Sequence, residues 1–192
     1  MSDATNDWAR YAAVTYLASH LGRGERFGKK ALQKVIYLLQ ECKGIDLGIP
    51  YTFYTYGVFS SELASTVEVL QNIDGLNVEY LASENAYYIS AGALADEIIS
   101  RGKEFLDSYK QEFEEMIAFA KGKTGKCLEL ISTIIFVANS PEFAGNGNND
   151  EIVERVHELK PKFDKQTIHA EFAELLRDGG FLGTQNVRAK AN

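Results

Sequence analysis

The sequence predicts a mainly α-helical protein with a small β-sheet, in which a winged-helix-like N-terminal half packs on a helical C-terminal half. Three observations predict it. Apolar residues recur at helical spacing through most of the 192 residues. Stretches at 51–56, 76–81 and 86–90 instead alternate apolar and polar residues as strands do. The order of these segments up to residue 91 is helix, helix, strand, helix, hairpin, which is the order of a winged helix-turn-helix.

Asp7 is placed to cap a first helix ending near Leu21, with Trp8, Tyr11, Ala12, Thr15 and Ser19 on one stripe and Val14, Leu17 and Leu21 beside it. Gly22 and Gly24 end it. The glycines of 22–28 do not form a phosphate loop, because they follow a helix and lack the Gly-Lys-Ser/Thr ending. A second helix over 29–42 carries Phe27, Ala31, Leu32, Val35, Ile36, Leu38 and Leu39 on a broad face, which makes it the core helix. Residues 44–50 lead into the strand at 51–56, which Gly57 stops, and Ser60 or Ser61 caps a third helix with Leu63, Val67 and Leu70 inside. The two strands of the wing turn at Ser83-Glu84-Asn85.

A long helix over 94–121 follows, with Ile98, Phe105, Leu106, Tyr109, Phe113, Met116 and Ile117 facing in. Gly122 and Gly125 separate it from an apolar helix at 128–138, and the Asn- and Gly-rich 139–149 reads as a mobile loop. A helix at 150–159 breaks at Lys160-Pro161, and Asp164 caps a last helix ending at Gly179-Gly180. The expected units are 7–91 and 92–183, sharing one compact domain, with loose ends at 1–6 and 186–192.

Apolar residues make up 45% and charged residues 24%, the balance of a globular protein rather than a disordered one. The apolar run at 130–139 spans half a bilayer and no secretory signal is readable, so a cytoplasmic location without membrane insertion is expected. Cys42 and Cys127 read as buried thiols. The net charge of −7 is unevenly spread: residues 44–100 hold eight acids and no Lys or Arg, while 1–43 hold seven basic residues against four acids.

No catalytic or metal motif stands out, and no cofactor is expected. His20, His157 and His169 fall in no ligand spacing, and neither cysteine has a histidine nearby. Ser60-Ser61-Glu62 sits where a strand becomes a helix, but lacks the glycine-flanked serine of a nucleophile elbow, so a helix cap accounts for it.

A winged helix invites a DNA reading through its third helix, and charge opposes it, because Glu62 and Glu68 on that helix and Glu79 and Glu84 on the wing repel phosphates. Two basic groups, Arg23, Arg26, Lys29, Lys30 and Lys34 at the second helix and Lys160, Lys162 and Lys165 near His169, read as solvated surface or as helix-dipole partners. The second group keeps a DNA-binding regulator, acting through the C-terminal helical unit, as the alternative function. Tyr54, Tyr56 and Phe59 form the outward half of an aromatic strand beside Glu62, Glu68, Glu79 and Glu84, a surface suited to a basic protein partner, with a homodimer left open. The expected function is therefore a non-enzymatic protein-binding module.

Lys29-Lys30-Ala31-Leu32-Gln33-Lys34-Val35-Ile36-Tyr37-Leu38-Leu39 and then Tyr51-Thr52-Phe53-Tyr54-Thr55-Tyr56-Gly57-Val58-Phe59-Ser60-Ser61-Glu62-Leu63 resemble the YwgA-type proteins and, beyond them, the Panacea (SocA-like antitoxin) domain group. The resemblance covers residues 26–81. In that group a Leu-Gln-Lys-aliphatic-aliphatic-Tyr helix precedes a Tyr-Gly-Pro-Tyr-Ser turn, where this chain has Val58 and Phe59 for the proline and second tyrosine. The resemblance implies an antitoxin or adaptor that binds a protein toxin.

Overall fold

The computed structural model describes residues 3–24, 26–55, 57–143 and 148–178, with side chains from Asp7 to Arg177. It is mostly helical, with two small antiparallel two-stranded sheets. Helix α1, Asp3–Leu21, starts before Asp7, so Asp7 does not cap it. Its buried face is built from small residues, Ala12, Ala13, Thr15 and Ala18, around Val14 and Leu17, which lets neighbouring backbones come close.

Helix α2, Lys29–Lys43, ends at Gly44, which takes the left-handed conformation (φ 69°) that closes helices cheaply only at glycine. All nine residues from Ala31 to Leu39 are buried, so α2 is enclosed on every side and not merely on a broad face. It packs against α6 (Lys110–Ala120), α7 (Gly125–Ala138) and both sheets.

Gly57 does not stop a strand. Strand β1, Thr52–Tyr54, turns back into β2, Gly57–Phe59, as an antiparallel hairpin in which Thr52 faces Phe59, Phe53 faces Val58 and Tyr54 faces Gly57. The alternation over 51–56 carries the strand signal but not the turn. Gly57, at φ 85°, lets the chain reverse. Tyr56 lies outside the described residues.

Helix α3, Ser61–Asn72, is capped as expected, its Leu63 N–H donating to Ser60 Oγ at 3.2 Å. Strands β3, Leu76–Leu81, and β4, Ala86–Ala91, form the second hairpin.

The expected long helix is three: α4, Ala95–Arg101, α5, Lys103–Ser108, and α6. The first break, at Gly102, has a tertiary cause. A Cβ at that position would lie 2.3 Å from Ala12 Cβ and 2.9 Å from Trp8 O, so α1 can pass there only over a glycine.

Helix α7 starts at Gly125, capped by Thr124; helix α8, Asn149–Leu159, is capped by Asn148. Helix α9, Lys165–Asp178, opens with Thr167 N–H donating to Asp164 Oδ1 at 2.7 Å. Its expected end at Gly179-Gly180, the termini at 1–2 and 186–192, and 144–147 of the expected loop lie outside the described residues.

One apolar cluster runs from Ala12 to Leu175 and takes residues from both halves of the chain. Among the described residues no helix is long and apolar enough to cross a membrane. Cys42 is buried and Cys127 only half-buried.

Candidate functional site

The first hairpin has two faces, as the pleat requires. Phe53 and Val58 point inward, Phe53 stacking on Phe136 of α7 with ring centroids 4.9 Å apart. Tyr54 and Phe59 point outward, 60% and 37% exposed, with their rings edge to face at 5.9 Å.

Beneath the hairpin lies a polar clamp. Gln33 of α2 donates from Nε2 to Ser60 O and accepts from Ser60 N–H, both at 3.0 Å. One turn-neighbour on, Lys34 Nζ donates to Val58 O at 2.5 Å. From the α8–α9 connection Lys160 Nζ donates to Thr55 O and pairs with Glu129 Oε1 of α7 at 2.9 Å. The other carboxylate oxygen of Glu129 holds Lys162 Nζ at 2.7 Å. Lys160 also lies over the Phe53 ring, 5.4 Å from its centroid. These side chains hold the carbonyls of Thr55, Val58 and Ser60 and the Ser60 N–H, backbone groups that the short hairpin itself does not pair.

The electrostatics follow from burial. Desolvation pulls the Lys34 ammonium down to about 8; Glu129 opposes this, while Lys160, Lys30 and Lys162 add to it. Burial by itself would raise the Glu129 carboxyl, but hydrogen bonds from Lys162 and Lys160 and their charges outweigh it and hold it below the usual range. Burial raises the Tyr51 hydroxyl, whose ring packs edge to face on Tyr37 at 5.2 Å and whose oxygen has no hydrogen-bond partner among the described residues.

Of the residues expected at the partner surface, the structure brings Tyr54 and Phe59 together. Tyr56 lies outside the described residues. Glu62 sits at the start of α3 in an ion pair with Arg10 of α1, which also donates to Leu47 O at 3.2 Å. Glu84, at the tip of the second hairpin, pairs with Arg26 and accepts from Tyr88 Oη. Glu68 and Glu79 are exposed and make no ion pair with a described residue. The second hairpin adds an exposed pair absent from the expected surface, Tyr80 and Tyr87, with centroids 4.8 Å apart.

The reading of the two basic groups as solvated surface holds for Arg23, Arg26, Lys30, Lys162 and Lys165, which are exposed, and is corrected for one lysine in each group. Lys34 and Lys160 are 4% and 3% exposed, because both insert beneath the 44–100 span that carries no lysine of its own. Lys34 left one signal in the sequence, its place within a core helix just before the apolar run Val35-Ile36-Tyr37-Leu38-Leu39. Lys160, in a break between helices, left none.

No known family model matches the chain. Over 154 residues it is 27% identical to the uncharacterized protein YwgA of Bacillus subtilis (strain 168), an alignment covering 71% of this chain and 89% of that protein. The comparison supports the YwgA-like side of the resemblance; the Panacea side gains nothing from it. The residues that carry the likeness meet in space: Gln33 holds Ser60, Lys34 holds Val58, and Tyr37 packs on Tyr51.

Proposed function

We propose that the chain is a non-enzymatic protein-binding module, antitoxin-like or adaptor-like, whose winged-helix-like N-terminal half presents the contact surface. The observation that carries the reading is the exposed Tyr54–Phe59 pair on a hairpin fixed from below by Gln33, Lys34 and Lys160. Exposed aromatic side chains bury large areas on binding, and a pre-fixed backbone loses little entropy when a partner orders it. Glu68 and Glu79 favour a basic partner, whereas Glu62 and Glu84, already facing arginines, contribute less. The antitoxin version draws on the Panacea resemblance.

Charge argues against the DNA-binding alternative at the C-terminal unit. Lys160 is buried beneath the hairpin and Lys165 pairs with Glu154 at 2.5 Å, which leaves too few exposed lysines for the row of phosphate contacts that a duplex requires.

The test is affinity capture with the wild-type chain beside Tyr54→Ala/Phe59→Ala and Glu68→Lys. The expected outcome is a basic protein retained by the wild type and lost on the order of tenfold or more by the aromatic double variant. Glu68→Lys should weaken the complex and flatten its salt dependence. Equal recovery by the wild type and the double variant would overturn the reading.

A further inference from the structure

We propose that Lys34, Lys160 and Lys162 form a receiving site for an oxyanion, a phosphate or carboxylate group, entered from the side of Lys162. Three observations carry it, independently of the protein-binding reading.

The first is charge. Three ammonium groups from α2 and the α8–α9 connection share a single carboxylate, Glu129. Two of them, Lys34 and Lys160, are 4% and 3% exposed. Buried charges are ordinarily matched one to one, and the two buried ammonium groups have one carboxylate between them, which leaves the buried cluster one negative charge short among the described residues.

The second is hydrogen-bonding capacity. An ammonium has three donors. Lys34 donates to Val58 O alone among the described residues, and Lys160 to Thr55 O beside its ion pair with Glu129. Holding the hairpin does not require this surplus; Gln33 makes two hydrogen bonds to Ser60 with no charge at all.

The third is access. Lys162 has a side chain 48% exposed, paired with the outer oxygen of Glu129 and lying over the Phe163 ring at 5.2 Å. Gly57 closes the other side: a Cβ there would already touch Glu129 Cγ and Thr133 Oγ1 at 3.6 Å and Lys160 Nζ at 3.8 Å, so the approach is past Lys162. An incoming oxyanion with two or more acceptor oxygens can take Lys162 from Glu129 and spread its charge over the cluster. A monatomic anion offers no such bridging geometry.

The experiment titrates the full chain at pH 7 with inorganic phosphate and, separately, with acetate, against sodium chloride at matched ionic strength. Thermal unfolding and calorimetry are the readouts. Phosphate or acetate should raise Tm above the chloride control and saturate as one site, and whichever ion is effective identifies the group recognised. Lys162→Gln, a change at a half-exposed side chain that leaves the hairpin clamp in place, should weaken the response on the order of tenfold. Glu129→Gln should strengthen it, because the cluster gains a net positive charge; a merely structural ion pair would show no such opposition of sign. Responses no larger than chloride's, or an undiminished response in Lys162→Gln, would overturn the site. Because Lys162→Gln keeps the buried pair, the test stands even where Glu129→Gln folds poorly. Capture of a protein partner through Tyr54 and Phe59 is read separately, so the two proposals fail separately.

Discussion

Lys34 shows what burial does to a single residue. Its ammonium sits among Glu129, Lys160, Lys162 and Lys30 and is pulled from 10.5 down to about 8, first by desolvation. The unfolded chain holds the Lys34 proton up to its ordinary range, so between about 8 and 10.5 the unfolded state binds more protons than the folded one. Stability contributed by this group therefore rises with pH through that window. Below it, the folded state carries the full cost of the buried charge, about 3 kcal/mol. The expected outcome for Lys34→Met is a pH-independent loss of the bond to Val58 O, together with removal of this pH dependence. Urea unfolding should show the stability difference moving in the wild type's favour by about 2 kcal/mol from pH 7 to pH 10. A difference that stays flat with pH would refute the assignment. Sequence placed Lys34 on a core helix yet read it as surface, because its acceptor comes from a residue 24 positions later and its partly compensating carboxylate from α7. Nothing local to residues 29–34 announces either.

At the scale of elements, what was legible is what is local. Helix α2 ends at a glycine, α3 begins at its Ser60 cap, and the second hairpin turns between its alternating strands, all determined within a few residues. The exceptions have distant causes. Ile98, Phe105, Leu106, Phe113 and Met116 keep an apolar phase that reads as one helix over 94–121, and the break at Gly102 is imposed by α1 passing against it. Gly102→Ala tests this. On an isolated helix the change would be stabilising, since alanine is the better helix former. Here the added methyl meets Ala12 Cβ and Trp8 O, so the expected outcome is a loss of about 1 to 3 kcal/mol in denaturant unfolding. Unchanged or increased stability would mean that α1 can move aside at little cost.

At the scale of the whole molecule, the candidate site belongs to no single half of the chain. The hairpin is supplied by residues 52–59, its clamp by Gln33 and Lys34 of α2, its apolar seat by Phe136 of α7, and its outer pin by Lys160, which reaches back 105 residues to Thr55. Local pattern could place the aromatic residues on a strand. The lysines beneath them could not be foreseen, because a span without positive charge in sequence is filled in space by cations from 34 and 160. The apolar cluster has the same character: α2, buried on every side, is covered partly by α6 and α7. Removing the C-terminal half would uncover the faces of α2 and β2 that α6 and α7 pack on and leave the inner face of the first hairpin without Phe136 or Lys160. A fragment of residues 1–91 taken alone is therefore expected to lack a cooperative thermal transition and to expose apolar surface. Circular dichroism melting and dye binding on that fragment check it. A cooperative melt with native-like stability would show that the first unit encloses its own core, and that the α7 and Lys160 contacts are an interface between two folding units rather than part of one.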